Sequence, residues 1–192
     1  MKRLRSALGT AVADAVHAVQ FYETDDYLIA ALSEFVAVGL IAGEAAIVIA
    51  TRDHRLGLER SLARRGVDVD QARTSGAYVP MEATELLPRL MAGDTIEAAR
   101  FRELVGGAIG RARGANGTRR VRVFGEMVGL LWAAGNEHAA LQLEGLWGEL
   151  TRTTSIALVC AYPTALFGDV AEPSVGPLRI AAAHDQDTAP AN

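Results

Sequence analysis

The chain of 192 residues has a single cysteine, Cys160, so no intrachain disulfide can form and nothing in it asks for an oxidising compartment. It has no apolar run of the roughly 20 residues that span a bilayer; the longest, Leu28 to Ile41, is interrupted by Ser33 and Glu34. The basic start (Lys2, Arg3, Arg5) leads to Asp14 and His17 and not to the apolar segment of a signal peptide. A cytoplasmic protein with no membrane partner is expected. Positive charge is also in short supply. With 19 Lys and Arg against 23 Asp and Glu, the net charge is −4, which does not suit the phosphate neutralisation that nucleic-acid binding requires. Arg111, Arg113, Arg119 and Arg120 read as a solvated helix end and loop.

The familiar catalytic signatures are missing too. A phosphate loop of the form GxxxxGK followed by Ser or Thr is absent, as are the GxGxxG dinucleotide fingerprint and the GxSxG nucleophile elbow. The segment where a phosphate loop would be sought, Glu23-Thr24-Asp25-Asp26, is acidic and would repel phosphate. HExxH is absent, and the four histidines (His17, His54, His138, His184) share no metal-ligand spacing. The expectation is no catalytic residue, no metal ligand and no cofactor.

What is present is a strong alternation of β-type and helical runs. Half of the residues are hydrophobic and 22% are charged, the balance of one globular domain. Short runs read as strands at Ala15 to Tyr22, Ala45 to Ala50, Tyr78 to Met81, Val121 to Phe124 and Ile156 to Tyr162, with a last candidate at Leu178 to Ala183. Between them lie helical patterns. One is capped by Thr24 and stopped at Gly39 or Gly43, and one runs from Asp53 to Arg65. A short one covers Ala83 to Met91, and one carries Phe101, Leu104, Val105, Ala108, Ile109 and Ala112 on one face. Two more flank the break at Gly135-Asn136, the second running to Leu150. Strands separated by helices imply right-handed crossovers and a mostly parallel sheet. The expected fold is a three-layer α/β/α domain of five or six strands over residues 15–185, with an N-terminal extension over 1–14 and a disordered tail over 186–192.

In such a sheet ligands bind beyond the carboxyl ends of the strands. The strand ends here deliver Phe21 and Tyr22, then Thr51 to His54, then Gly125 and Glu126, then Tyr162, with Trp132 on the helix after Glu126. An aromatic edge with a few ionisable groups has the makeup of a small-molecule pocket. The ligand-binding candidates are therefore Phe21, Tyr22, His54, Glu126, Trp132 and Tyr162. Each also has a purely structural reading. Phe21 and Trp132 suit a core, Tyr22 a sheet edge, His54 a solvated helix, and Glu126 a first-turn charge favoured by the helix dipole. Trp147 reads as core and Cys160 as an inert buried thiol; Glu144, beside Ala140 and Gly148 on a face with little bulk, reads either as solvated or as approaching a pocket or partner helix, the solvated reading being slightly preferred.

Several separated segments, in order, resemble the MEDS family of methanogen and methylotroph sensory domains. They are HAVQFYETDDYL (His17 to Leu28), GLIAGEAAIVIAT (Gly39 to Thr51), FGEMVGLLWAAGN (Phe124 to Asn136), LEGLW (Leu143 to Trp147) and CAYP (Cys160 to Pro163). The resemblance implies a fold like that of RecA and KaiC with the phosphate loop lost. It implies that Glu126 stands where active ATPases of this fold keep their metal-binding acidic strand. It also implies a role in sensing small organic molecules, hydrocarbon derivatives among them, beside a histidine kinase or transcription regulator. No such output module is read in this chain, so the signal is expected to pass in trans or through self-association, a homodimer included. Two other functions are consistent with the residues: a degenerate nucleotide-binding domain, and a protein-interaction regulator that needs no ligand.

Overall fold

The structure is a computed structural model and describes residues 16–167. The expected extension over 1–14, the candidate strand Leu178 to Ala183 and the tail over 186–192 lie outside the described residues. In chain order the elements are β1 (Val16–Tyr22), α1 (Asp25–Ile41), β2 (Ala45–Ala50), α2 (Arg52–Arg64), α3 (Val69–Thr74), β3 (Tyr78–Glu82) and α4 (Ala83–Leu90). A hairpin of two-residue strands follows, β4 (Met91–Ala92) and β5 (Thr95–Ile96), and then α5 (Ala98–Phe101), a π turn (Arg102–Gly106) and α6 (Gly107–Ala112). The remainder is β6 (Val121–Gly125), α7 (Met127–Ala133), α8 (Glu137–Thr153), β7 (Ile156–Pro163) and a 3-10 turn (Thr164–Phe167).

The main sheet has five strands in the order β1-β7-β6-β2-β3, and every neighbouring pair is parallel. The fold is thus the expected α/β class. The β-branched run Ala45–Ala50 forms a central strand that is buried at every residue, because helices cover both faces of a parallel sheet. Ala46, Val48 and Ala50 meet α1 and α2 through Leu28, Leu32, Phe35, Leu58 and Leu62. Ala45, Ile47 and Ile49 face the other layer, built from α4 to α8 and including Leu86, Phe101, Met127, Leu143 and Trp147.

Two glycines have distinct tasks. Gly43, at φ +80°, follows the last turn of α1 and is the stop. Gly39 lies inside α1, where a Cβ would stand 2.6 Å from Cδ of Arg122. Its smallness lets the Arg122 side chain pass between helix and sheet.

α3, the β4–β5 hairpin, the π turn and the 3-10 turn were not read from the sequence. The hairpin holds too few residues for a periodic pattern. Its turn is fixed by Asn136, whose side chain accepts the Ala139 N–H to cap α8 and donates to the Asp94 carbonyl at 2.8 Å.

The strand order places the functional edge. The chain leaves β2 towards β3 and leaves β6 towards β7, in opposite directions. Where neighbouring strands diverge like this, a crevice opens at their carboxyl ends. The β2–β6 crevice is bounded by Thr51 at the start of α2 and by Glu126 at the start of α7.

Candidate functional site

Glu126 is the residue between β6 and α7. It does not cap α7, since its side chain makes no cap hydrogen bond there. It crosses the crevice instead. Oε1 accepts the Thr51 backbone N–H at 2.6 Å, and Oε2 accepts from His54 Nδ1 at 2.7 Å. Its own backbone N–H donates to the Ile49 carbonyl at 3.1 Å. The carboxyl group is 4% exposed as part of its residue, so this is a buried latch between two strand ends and not a solvated first-turn charge.

His54 is a single turn into α2, and its imidazole is the centre of the latch. Nδ1 meets Glu126, and Nε2 lies 3.2 Å from Asp25 Oδ1 in the first turn of α1. The Tyr22 ring stands edge-on to the imidazole with centroids 6.2 Å apart. The hydrogen bond to Glu126 overcomes the opposing effect of burial and, helped by Asp25, pushes the His54 pKa up to about 9. The ring is therefore an imidazolium at neutral pH, with both nitrogens donating. Burial first, and then the nearby Glu126 and Asp25, raise the Tyr22 pKa above the usual phenol range. With both nitrogens engaged by carboxylates, His54 clamps three segments together and has no nitrogen left to act as a base.

This geometry gives a pH dependence with a definite sign. A histidine whose pKa is higher folded than unfolded adds stability that is complete below its unfolded value near 6.5 and vanishes as pH passes its folded value. Stability should fall by about 2 kcal/mol as pH rises from 6.5 to about 9. His54→Gln should flatten that part of the curve. Urea midpoints across this range check the expectation.

The six candidates separate into two groups on opposite faces of the sheet. The expectation of one shared crevice is corrected here: side chains alternate along a strand, so neighbours Phe21 and Tyr22 enter different layers. Tyr22, His54 and Glu126 form the latch. Phe21, Trp132 and Tyr162 form an aromatic cluster with Phe167, a residue not picked out from the sequence. Its ring centroids lie 5.6 to 6.3 Å apart, with Phe21–Phe167 and Trp132–Tyr162 edge-on, a preferred aromatic geometry. The 3-10 turn that carries Phe167 is tied to β1 by Thr164, whose hydroxyl donates to the Tyr22 carbonyl at 3.2 Å.

Beneath the aromatic cluster lies a polar group that sequence reading missed. Glu144, which the sequence left open between solvent and a pocket or partner helix with a slight preference for solvent, is 2% exposed. Its Oε1 accepts from the Tyr162 hydroxyl at 2.7 Å, and its Oε2 lies 3.1 Å from His17 Nε2. Cys160 is buried as expected, with its sulfur 3.5 Å from the same nitrogen. Burial, reinforced by Glu144, raises the pKa of both Cys160 and Tyr162. The small neighbours Ala140 and Gly148 were the one sign in the sequence that α8 packs closely on this side.

A third feature of the edge is an open groove of about 590 Å³ beside Thr51, walled by Asp53, Arg55, Glu82 and Glu85. Arg55 donates to Glu82 at 2.6 Å. Burial acts against the Glu82 carboxylate, but the bonds from Arg55 and Thr84 hold its pKa below the usual range.

Only Glu23 and Thr24 separate β1 from α1. A phosphate loop needs about eight residues to wrap its backbone around phosphate, so this connection cannot form one. Fold and edge together define the class: a RecA-like α/β domain of the KaiC type with a carboxylate–imidazolium latch and no phosphate loop after its first strand. A solved KaiC-like protein from the hyperthermophilic archaeon Pyrococcus horikoshii superposes with a TM-score of 0.56 at 10% identity, covering 86% of this chain and 70% of that one. The chain belongs to the MEDS family, the methanogen/methylotroph, DcmR sensory domain, whose family model matches residues 16–172. A comparison with curated proteins gives no match. The family supports a sensory role. Among the described residues no helix is long and apolar enough to cross a membrane.

Proposed function

We propose that this domain is a non-enzymatic cytoplasmic sensor that binds a small, largely apolar organic molecule, a hydrocarbon derivative, against Phe21, Trp132, Tyr162 and Phe167. The observation that carries the proposal is the placement of α7. This helix of seven residues carries Trp132 near its end and starts immediately after Glu126. One short rigid element therefore joins the aromatic cluster to the latch. A ligand that displaces the Trp132 ring favours a shifted α7, and the shift draws Glu126 away from Thr51 and His54. Ligand binding and latch opening are then two readings of one equilibrium. The altered surface around α1 and α2 is what a separate histidine kinase or transcription regulator reads.

The test is a thermal-shift panel of small alcohols, carbonyl compounds and halocarbons, with Mg-ATP as a comparison. At least one organic class should raise Tm in the wild type and leave Trp132→Ala unmoved. Glu126→Gln should bind the same compound more tightly, because the latch no longer opposes the shift. Stabilisation by Mg-ATP alone, abolished in Glu126→Gln, would favour the degenerate nucleotide-binding reading. The two-residue β1–α1 connection weighs against that outcome.

A further inference from the structure

His17, Glu144 and Cys160 sit on β1, α8 and β7. The parallel register pairs His17 with Leu158 and Val19 with Cys160, so the histidine and the cysteine lie two positions apart along one face. Glu144 descends on that face from α8. Their ligand atoms, one nitrogen, one oxygen and one sulfur, all lie within 4.8 Å of one another. The surroundings are apolar: Trp147, Leu143, Ala140 and Leu158 belong to the same half of the core. Polar groups in such a place cost free energy unless something gathers them.

We propose that His17 Nε2, Glu144 Oε2 and Cys160 Sγ bind a zinc-type divalent cation. Both the Glu144 oxygen and the Cys160 sulfur converge on His17 Nε2, at 3.1 and 3.5 Å. A proton joins two such atoms at a time, whereas a cation joins all three. Tetrahedral zinc with ordinary bond lengths sets its nitrogen and oxygen ligands roughly 3.3 Å apart, and its nitrogen and sulfur roughly 3.5 Å apart. The observed separations are close to both. The mixed donor set selects against magnesium and calcium, which take oxygen ligands, and in favour of a borderline-soft ion. The Tyr162 hydroxyl, bonded to the other Glu144 oxygen at 2.7 Å, holds the carboxylate in orientation, as hydrogen-bonded partners of metal ligands commonly do. Binding exchanges the Cys160 thiol proton for the cation and releases it to solvent. With three protein ligands, the fourth position falls to water or to an exogenous donor atom.

The experiment uses the full chain without an affinity tag, stripped with a chelator and dialysed against zinc. The wild type should retain about one zinc per chain, and Cys160→Ser and His17→Gln on the order of a tenth of that. His138→Gln, at an exposed histidine on α8, should retain the wild-type amount. Cobalt added to the stripped wild type should produce a thiolate-to-metal charge-transfer band that Cys160→Ser lacks. If the two variants fail to fold, the wild-type cobalt spectrum decides alone. No retained zinc and no thiolate band in the wild type would overturn the proposal and leave an internal hydrogen-bonded triad. No organic ligand enters this experiment, so its result is independent of the sensory reading.

Discussion

Glu126→Gln should lower folding stability at neutral pH by about 3 kcal/mol. The wild-type carboxylate accepts two bonds from buried donors, the Thr51 N–H at 2.6 Å and the His54 ring at 2.7 Å. An amide has one accepting oxygen. If that oxygen keeps the Thr51 N–H, the NH₂ group faces His54 Nδ1, which can accept only once the ring has shed its proton, so the charged bond is replaced by a weaker neutral one. The imidazolium also loses its principal counter-charge, so its pKa returns towards 6.5. The variant should therefore lose most of the decline in stability between pH 6.5 and about 9. Urea unfolding with an unchanged m value measures both effects. A change below about 0.5 kcal/mol, typical of a surface site, would mean that Glu126 is not the latch described here.

The second large effect belongs to Arg122. Its side chain is nearly buried on β6, on the layer of α1. Nε donates to Glu44 Oε2 at 2.5 Å, Nη1 donates to the Phe35 carbonyl at 3.2 Å, and the guanidinium stands 5.1 Å from the centre of the Phe35 ring. Arg122→Leu removes all three contacts and leaves Glu44, at the entry to β2, with Arg120 at 3.7 Å as its remaining ion-pair partner among the described residues. Breaking a mostly buried pair from one side costs about 3 kcal/mol. The double variant Arg122→Leu with Glu44→Leu should recover a large part of that loss, since the uncompensated charge is then gone. Chemical denaturation of the single and double variants checks this. Equal stability of the two would show that the lost packing on Phe35, and not the orphaned carboxylate, sets the cost.

Much of the architecture could be read along the chain because the relevant signals are local. Ala45 to Ala50 announces a strand covered on both faces, Thr24 announces the start of α1, and Gly135-Asn136 announces the break between α7 and α8. The latch was half legible. Glu126 and His54 were singled out by their place at strand ends, but their union depends on β2 and β6 being neighbours, a fact of strand order. Asp25 is a first-turn charge of α1 and also faces His54. Glu144 stayed open between solvent and interior, with a slight lean the wrong way, for the same kind of reason. Its partners, His17 and Cys160, reach it only through the pairing of the first and last strands of the sheet. The short run at β4 and β5 was invisible because two residues cannot display a period. Gly39 and Gly43 looked alike in sequence; the need to admit Arg122 at one and a positive φ at the other separates them.

The central claim is that a small organic molecule is received at the aromatic end of α7. The indole N–H resonances of the two tryptophans provide a direct test, because Trp132 lies in the aromatic cluster whereas Trp147 packs edge-on to Phe101 at 5.0 Å in the core. Titration with a stabilising compound from the panel should move the Trp132 signal saturably, together with the His54 ring signals, and leave Trp147 nearly still. Movement of neither Trp132 nor His54, or movement confined to the residues around Thr24 on addition of Mg-ATP, would contradict the account.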